Sequence, residues 1–287
     1  MDLAVVIAAH NEARWIGQQL DALRAEVWDG GDWEVVVVDN RSSDDTAAIV
    51  EARAADWPRL RLLGAHERGN KHYAINTIID ELDADRFAIA DADDVIAPGW
   101  VAAMADGLRS AEIVTGPLEL DRLNPAWLAE SRGRSGAASP VAVFEGVLPF
   151  ARGGNFGFTR AAFDKIGKLP EAHSPCEDLD VSTIARRVGI DIEGLPDAVV
   201  HYRYRGDVGT LWRQGYAYGQ ARCRVVRDLV DHDEPRPGRF AGWRSWLWLI
   251  RRLPTLRHRE GRASWVWVAG NRLGQLRGSV RHRVCYL

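Results

Sequence analysis

Four short apolar runs alternate with segments of helical spacing over the first 97 residues, and this alternation limits the fold more than any other feature. Runs of roughly four to eight apolar residues bounded by turn residues are typical of strands buried on both faces. The four runs cover residues 3–9, 34–39, 60–65 and 87–90. Strands that alternate with helices in this way form a mostly parallel sheet with helices on both sides. The sequence therefore predicts an α/β fold.

The fourth run ends in three acidic residues, Asp91, Asp93 and Asp94. On an extended backbone the side chains of Asp91 and Asp93 lie on the same face. Carboxylates this close repel one another and raise each other's pKa unless a cation lies between them. Mg²⁺ sites use one or two carboxylates together with substrate phosphates, so the pattern predicts a metal and diphosphate site. The alternative is an acidic turn after a strand, which is the interpretation we prefer for Asp94.

Composition indicates the class of protein and shows that the charge of the chain changes towards its C-terminus. The chain has 287 residues, 46% of them hydrophobic and 27% charged, which suits one large globular domain with an appendage. Its net charge is −3, but residues 236–287 contain twelve arginines, one glutamate and no aspartate or lysine. Such an asymmetry predicts a polyanionic neighbour for residues 231–287, which form a basic, Trp-rich C-terminal extension.

Cysteine usage and hydropathy indicate the compartment. Cys176, Cys223 and Cys285 are far apart and odd in number, which argues against a disulfide framework and fits a reducing compartment. The N-terminus does not resemble a signal peptide, and no stretch approaches the roughly 18 apolar residues that a spanning helix needs. We expect a cytoplasmic protein whose membrane contact, if any, is peripheral and at the inner face.

The regular alternation stops after Pro98. We predict a strand over residues 112–120, a mobile loop over 131–140 and a long helix over 211–230. The Gly-containing run 153–158 (GGNFGF) has the small residues expected where the backbone approaches a ligand closely.

Four segments stand in an order that resembles a known family. They are residues 5–12 (VVIAAHNE), 38–46 (VDNRSSDDT), 91–93 (DAD) and 177–178 (ED). Together, at these separations, they resemble the family 2 glycosyltransferases, inverting enzymes of the GT-A fold, over residues 3–230. The resemblance implies a GT-A domain at residues 1–230. Its nucleotide-sugar-binding half would be residues 1–97 and its acceptor-binding half residues 98–230.

The resemblance also implies how a donor is held. In that family the first two strand ends hold the nucleotide, and the D-x-D segment holds Mg²⁺ or Mn²⁺ on the diphosphate. Carried over to this chain, Asp39 takes the edge of the nucleobase, and Asp91 and Asp93 hold the metal. The other residues expected to contact the donor are Ala8, His10, Glu12, Lys71 and Ala92, together with Asp91. The donor implied is a nucleotide-diphosphate sugar, for which uridine is the common choice of the family.

The acidic pair Glu177 and Asp178 is the candidate for catalysis. A metal on the diphosphate assists the leaving group, so no general acid is required, but the acceptor hydroxyl needs a base. The resemblance implies that the later acidic pair supplies it. We assign the base to Asp178, and we expect Glu177 to orient it or to bind the acceptor. The alternative for both is helix capping, because acids at a helix N-terminus are stabilising.

Three further residues carry separate expectations. His201 ends a Val-rich strand, where it is either a metal ligand, a phosphate contact or a structural residue. Gly154 and Asn155 are expected to border the acceptor site. In the segment 213–219 (RQGYAYG), we expect the tyrosines to pack rather than to stack on a sugar.

The C-terminal extension interleaves tryptophan with arginine. The tryptophans are Trp243, Trp246, Trp248, Trp265 and Trp267, and the arginines are Arg244, Arg251, Arg252, Arg257, Arg259 and Arg262. This composition suits an amphipathic segment on an anionic membrane surface, with rings and guanidinium groups at the headgroups. Packing on the catalytic domain and contact within an oligomer are the alternatives. We expect no nucleic acid partner, because no recognised binding module accompanies the charge.

The function predicted from these observations is an inverting, metal-dependent glycosyltransferase whose acceptor is a glycan or a lipid-linked molecule. A nucleotidyltransferase, one alternative, would want a Gly-rich, basic loop where this chain has His-Asn-Glu at residues 10–12. The same turn lacks the G-x-G-x-x-G pattern of NAD-type sites. A non-catalytic nucleotide- or glycan-binding protein is the other alternative, and the presence of Asp91, Asp93 and Asp178 argues against it.

Overall fold

A seven-stranded sheet forms the centre of the molecule. The computed structural model describes residues 1–131, 136–171, 175–204 and 206–286. The strands are β1 (Leu3–Ala9), β2 (Trp33–Asp39), β3 (Leu60–Gly64), β4 (Arg86–Ala90), β5 (Val95–Ile96), β6 (Ile113–Thr115), β7 (Leu118–Glu119), β8 (Ala142–Phe144), β9 (Leu148–Phe150), β10 (Asn155–Thr159), β11 (Ile192–Gly194) and β12 (Val200–His201). The helices are α1 (Ile16–Arg24), α2 (Thr46–Ala54), α3 (Lys71–Ile79), α4 (Trp100–Gly107), α5 (Ala126–Ser131), α6 (Arg160–Ile166), α7 (Glu177–Arg187), α8 (Val208–Asp231), α9 (Trp243–Arg251) and α10 (Arg259–Arg281), with a 3₁₀ turn at Leu253–Arg257.

The strands of the central sheet lie in the order β11-β6-β10-β4-β1-β2-β3. Neighbouring strands are parallel except around β10, which runs antiparallel to both β4 and β6. This mostly parallel, helix-covered sheet confirms the predicted fold class. Two smaller sheets accompany it, a three-stranded sheet β5-β12-β7 and the hairpin β8-β9.

Alternating side chains of the central strands fill two cores, one on each face of the sheet. Val5 of β1 packs in one core with Leu20 of α1 and Trp100 of α4. Its neighbour Val6 belongs to the other core, with Ile75 of α3. Because both faces are covered by helices, the carboxyl edge of the sheet is where functional groups can be reached.

Three predictions for the second half of the chain need correction or qualification. The run 153–158 leads into the central strand β10, and its Phe156 and Phe158 are buried in the core instead of facing a ligand. The strand predicted over 112–120 is split into β6 and β7, which belong to different sheets. Of the predicted loop 131–140, residues 132–135 lie outside the described residues.

The C-terminal extension packs against the rest of the chain through α10. Helices α8 and α10 lie side by side so closely that a Cβ at Gly219 would overlap the carbonyl oxygen of Asn271. Further along the same pair, the Cys223 thiol donates to the carbonyl of Gln275 at 3.3 Å. Trp267 lies 5.7 Å from the Tyr218 ring, so part of the predicted Trp stripe is packing. Within the described residues, every helix is too short or too polar to cross a bilayer.

Candidate active site

The ends of three parallel strands meet at one edge of the central sheet. Strands β1, β2 and β4 run in the same direction, so the segments that follow them come together at the carboxyl edge. A cavity of about 1000 Å³ opens there, and we call it the large cavity. The predicted donor residues that line it are Ala8, His10, Glu12, Lys71, Asp91 and Ala92, and the predicted metal ligand Asp93 lines it as well.

Asp39 lies at the end of β2 and is buried. Its Oδ1 accepts the backbone N–H of Ser42 at 3.3 Å, and its Oδ2 lies 3.7 Å from His66 Nδ1. The next residue, Asn40, lines the large cavity, and its carbonyl is 2.8 Å from His10 Nδ1. The carboxylate of Asp39 therefore holds the turn after β2, and its contact with a nucleobase stays a prediction.

An acidic cluster follows β4. Among the described residues, Asp91, Asp93 and Asp94 form a group whose candidate ligand oxygens all lie within 4.8 Å of one another. Burial, together with the charges of Asp93 and Asp91, raises the pKa of Asp94 well above its ordinary value. Asp94 Oδ1 accepts the backbone N–H of Arg203 at 2.7 Å, while its buried Oδ2 has no partner among the described residues. A cluster of hard oxygens with one unsatisfied acceptor fits a hard divalent cation.

Asp94 is therefore more than the turn acid that the sequence favoured. A carboxylate that is 1% exposed and next to two others is costly unless a proton or a cation neutralises it. The strand pattern ends before Asp94, so nothing in the sequence alone indicated its burial.

Lys71 stands at the first position of α3, where the side chain of Asn70 caps the helix by accepting the N–H of Tyr73 at 2.8 Å. The Lys71 ammonium forms an ion pair with Asp91 and donates to the carbonyl of Gly153 at 2.8 Å. Burial opposes its charge, but the neighbouring Asp91 carboxylate outweighs this and raises the pKa of Lys71. Lys71 is therefore a fixed positive charge beside the acidic cluster.

Arg203 is a functional candidate that the sequence did not indicate. It follows β12 and lines the large cavity. Its Nε donates to the carbonyl of Asp93 at 2.7 Å, and its guanidinium lies 3.8 Å above the ring of Trp15. No motif surrounds Arg203 in the sequence, so only the fold brings it to the acidic cluster.

The N-terminal half of α8 closes the large cavity on another side. Thr210, Arg213, Gln214 and Tyr218 all line it. The tyrosines of the segment 213–219 were predicted only to pack. Tyr218 does both, because it packs on Trp267 and lines the cavity.

Asp178 lies in the first turn of α7 and is half-buried. Its Oδ1 accepts the backbone N–H of Leu179 at 2.9 Å. Burial is the main cause that raises the pKa of Asp178 to about 6, and the hydrogen bond from Leu179 partly offsets it. A carboxylate with a pKa near the working pH suits a general base.

Glu177 lines the large cavity and lies beside a buried histidine. Its Oε2 is 3.7 Å from Nε2 of His72, whose Nδ1 is 2.8 Å from the carbonyl of Pro170. Burial lowers the pKa of His72 to about 4, so the ring is neutral near pH 7 and donates through Nδ1 to that carbonyl. His72 therefore contacts both Pro170 and the first residue of α7.

Two more cavities meet at Asp178. A small cavity of about 380 Å³ is lined by Lys71, Asp91, Gly154, Glu177 and Asp178, among others. Beyond it lies a cavity of about 750 Å³, which we call the aromatic cavity because Phe144, Phe150, Tyr204, Tyr218 and Trp267 line it together with Asp178. The small cavity shares lining residues with both others, so it lies between the acidic cluster and the aromatic cavity.

A buried arginine builds one wall of the aromatic cavity. Arg152 donates from Nη1 to the carbonyls of Gly116 at 2.8 Å and Pro140 at 3.0 Å, and from Nη2 to that of Gly136 at 2.7 Å. Burial lowers its pKa to about 10, and the guanidinium remains charged near pH 7. Arg152 thus ties the chain around residues 136–140 to the sheet.

Of the two residues predicted to border the acceptor site, one is misplaced. Gly154 lines the small cavity, and a Cβ there would overlap a carboxylate oxygen of Asp91. Asn155 is fully buried, and its side chain bonds to the Trp100 indole and the carbonyls of Pro117 and Ala198. Every polar atom of that side chain is occupied inside the core, so its assignment to the acceptor site is wrong.

His201 lies in β12, where it pairs with Val95, the residue that follows the acidic cluster. Its Nδ1 lies 2.7 Å from Glu119 Oε2, and the group of described carboxylates around Asp91 does not include it. The contact with Glu119 joins β12 to β7 and supports the structural alternative. A role for His201 as a metal ligand stays a prediction.

Comparison with known proteins adds independent information. The family model described as glycosyl transferase family 2 matches residues 4–167, more than half of the chain. The β-monoglucosyldiacylglycerol synthase of Synechocystis is 26% identical over 233 residues, which cover 74% of this chain and 47% of that protein. Glycosyltransferase AglE of Haloferax volcanii is 26% identical over 195 residues, covering 60% of this chain and 64% of the relative. The succinoglycan biosynthesis protein ExoO of Rhizobium meliloti is 29% identical over 171 residues, covering 57% and 48%. The chain thus spans about half to two thirds of the relatives it matches.

Solved structures share the fold at lower identity. The mannosyltransferase PcManGT of Pyrobaculum calidifontis, solved with GDP-mannose and Mn²⁺, superposes with a TM-score of 0.67 at 18% identity, covering 96% of this chain and 86% of that one. Residues 1–349 of S. aureus TarS, solved with UDP-GlcNAc, give a TM-score of 0.57 at 15% identity, covering 99% and 93%. Both likenesses concern the fold alone.

Proposed function

The chain belongs to glycosyl transferase family 2, and from this premise we propose that it is an inverting, metal-dependent enzyme that transfers a sugar from a nucleotide-diphosphate donor. One observation carries the proposal. Adjacent glycines approach both acids, because a Cβ at Gly153 would lie 3.8 Å from Asp178 Cβ and one at Gly154 would overlap Asp91. All four residues line the small cavity, so a candidate base and a candidate cation ligand face the same space.

The donor would occupy the large cavity. The ends of β1 and β2, including Ala8, His10, Glu12 and Asp39, would hold the nucleoside, and we propose a uridine nucleotide. Asp91 and Asp93 would hold Mg²⁺ or Mn²⁺. Such an ion, when bound, neutralises the diphosphate as it leaves.

Fixed positive charges would then support the leaving diphosphate from the protein side. Lys71 lines the large cavity beside Asp91, and Arg203 and Arg213 line it as well. Charges held in place before the reaction lower the cost of the negative charge that develops on the leaving oxygen.

The acceptor hydroxyl would enter from the side of the aromatic cavity. Asp178 would take the hydroxyl proton as the acceptor oxygen forms its bond to the anomeric carbon and the bond to the diphosphate breaks. Attack opposite to the leaving group inverts the configuration at that carbon. Glu177, which lines both the large and the small cavity, would position the acceptor or Asp178.

The acceptor would be a glycan or a lipid-linked molecule. The aromatic cavity offers rings, which bind sugars and apolar chains alike, together with the guanidinium groups of Arg152 and Arg222. The relatives include one protein named for a glycolipid and one named for a polysaccharide.

We also propose that the catalytic domain is residues 1–230, divided into a donor half (1–97) and an acceptor half (98–230). The donor half supplies the acidic cluster and Lys71 to the large cavity. Asp178 and most of the aromatic cavity come from the acceptor half. Helix α8 contributes to both cavities, since Tyr218 lines each of them.

A donor panel tests the proposal. UDP-, GDP- and dTDP-sugars are incubated with the protein and Mn²⁺ or Mg²⁺, nucleoside diphosphate release is measured, and the anomeric configuration of any product is determined by NMR. We expect one donor class to be cleaved only with metal, with inversion, and with loss of activity in Asp93→Asn. Asp106→Asn, an exposed aspartate on α4, is the matched control. Metal-independent turnover or retention of configuration would overturn the proposal.

A further inference from the structure

The exposed apolar side chains of the molecule are concentrated near its C-terminus. In the described part of the chain twelve large apolar side chains are exposed, and eight of them lie between residues 240 and 280. We call these eight the C-terminal apolar face: around α9, Phe240, Trp243, Leu247, Ile250 and Leu253; on α10, Leu273, Leu276 and Val280. Such a concentration marks a contact surface, because isolated exposed apolar residues are normal but clusters are not.

Helix α9 has the geometry of an interfacial helix. Trp243, Leu247 and Ile250 are spaced by four and three residues, so they project from one side of the helix. Arg244 follows Trp243 and Arg251 follows Ile250 by one residue, which places both arginines about 100° round the helix on the same flank. An apolar row with a basic row beside it is the pattern of helices that lie in a membrane surface.

The basic flank is available for a partner. Arg244, Arg251 and Arg252 share a shallow groove of about 600 Å³ with Trp243, Leu247 and Trp248. None of the three arginines has a carboxylate within ion-pair distance among the residues that the structure describes. Guanidinium groups beside exposed rings match a phosphate headgroup above an acyl layer.

The apolar row is not needed to hold α9 in place, because the opposite side of the helix does so. Leu249 is 6% exposed, and its carbonyl accepts the indole N–H of Trp265 on α10 at 3.0 Å. Helix α10 in turn packs along α8, which lines the large cavity. The exposed row is thus presented by a helix fixed to the wall of the active site.

The charge of the region favours one occupant over the others. Residues 236–287 carry twelve arginines and one glutamate, so a second copy of this chain would bring the same positive field against itself. An anionic bilayer matches the protein in two ways: its apolar interior suits the exposed apolar row, and its negative surface suits the arginines. With nine residues, α9 is far too short to cross a bilayer, which leaves it lying in the surface.

We propose that α9 and the exposed end of α10 dock on an anionic lipid bilayer, with Trp243, Leu247 and Ile250 in the headgroup region and Arg244 and Arg251 on lipid phosphates. Only part of the C-terminal extension then contacts lipid. Most of α10 packs on the protein, and the lipid contact is made by α9 and by the end of α10 that carries Leu273, Leu276 and Val280. The docking does not depend on the proposed reaction, so it can be tested without a substrate.

Co-sedimentation of the full chain with vesicles tests the docking. One set of vesicles is phosphatidylcholine alone, and in the other part of the lipid is replaced by phosphatidylglycerol. We expect binding to the anionic set that weakens as salt is added. Trp243→Ser with Leu247→Ser should lower the partition coefficient at least about tenfold, because each apolar side chain that leaves the lipid loses roughly that factor.

The basic flank gives a second, independent variant. Arg244→Gln with Arg251→Gln should lower binding to anionic vesicles by more than about tenfold, since each charge near the surface contributes roughly fivefold. Val27→Ser with Arg59→Gln, which changes an exposed valine and an exposed arginine elsewhere, should bind like the wild type. Circular dichroism and the melting temperature verify that every variant is folded.

Three results would overturn the docking. The first is no binding of the wild type to anionic vesicles. The second is binding that neither pair of substitutions weakens. The third is a dimer in sedimentation velocity that both pairs convert to monomer, which would make this face a contact between copies.

Discussion

Arg203 Nε donates to the carbonyl oxygen of Asp93 at 2.7 Å, across a separation of 110 residues in the sequence. The backbone N–H of the same arginine binds Asp94 Oδ1, also at 2.7 Å. Arg203 therefore holds the acidic cluster from the side of β12. In the proposed reaction this makes Arg203 a positioning residue for the carboxylates that would hold the metal.

Arg203→Ala is expected to raise the apparent KM for Mn²⁺ and to lower kcat/KM by about a hundredfold, because a carboxylate displaced by about 1 Å costs a factor of that order. Arg14→Ala is the matched control, since Arg14 stacks on the same Trp15 ring at 4.3 Å. The measurement is the metal dependence of donor turnover. Equal effects of the two substitutions would assign Arg203 to packing on Trp15 alone.

Gly154→Ala tests the close approach of the backbone to Asp91. The added methyl group would overlap the Asp91 carboxylate, which must then move from its position in the cluster. We expect at least a tenfold loss of Mn²⁺ affinity, measured by calorimetry. Gly153→Ala should bind the metal normally, because its methyl group would meet only Asp178 Cβ at an ordinary 3.8 Å. Normal metal affinity in Gly154→Ala would mean that Asp91 does not bind the ion.

Asn155→Ala should lower the stability of the fold without changing the binding of the acceptor. The substitution removes the acceptor of the Trp100 indole N–H and the donor to the Ala198 carbonyl, while the Pro117 carbonyl keeps only the backbone N–H of Val200. A loss of about 3 kcal/mol in the free energy of unfolding is expected, measured with urea. The KM for the acceptor should stay unchanged, and a large rise in it without loss of stability would restore Asn155 to the acceptor site.

The raised pKa of Asp178 has a consequence for stability against pH. Its pKa is about 6 in the folded chain against an ordinary 3.8, so between these values the folded state holds a proton that the unfolded state has released. Stability contributed by this group therefore falls as the pH rises from about 4 to about 6. Asp178→Asn, which cannot ionise, should be more stable than the wild type by about 3 kcal/mol at pH 7 and nearly equal to it at pH 4. An equal difference at both pH values would contradict the assignment.

The sequence located the edge of the sheet where the candidate donor residues lie. Asp91 directly follows β4, whose apolar run was predicted as a strand, and Asp91 and Asp93 line the large cavity as expected. The sequence pattern could not predict that Asp94 is buried or that Arg203 approaches the acidic cluster. Both depend on the pairing of β12 with β5. Two-residue strands of this kind leave no periodicity in the sequence.

Asn155 shows the opposite failure. A glycine-rich run with aromatic residues has the composition of a ligand-binding turn, yet here it leads into a central antiparallel strand. The alternation of Phe156 and Phe158 is compatible with a ligand-binding turn and with a buried strand. Long-range pairing with β4 and β6 makes it a strand. The contact of His201 with Glu119 was likewise beyond sequence reasoning, since the two residues are 82 positions apart.

In the proposed reaction Asp93 binds the metal and Asp178 takes the proton, and calorimetric titration of the donor that the panel identifies, paired with its turnover rate, separates the two roles. We expect Asp93→Asn to lose metal-dependent binding of the donor. We expect Asp178→Asn to bind the donor as the wild type does, with turnover lowered by about a hundredfold to ten-thousandfold. Wild-type turnover in Asp178→Asn, or donor binding in the wild type that needs no metal, would contradict these roles.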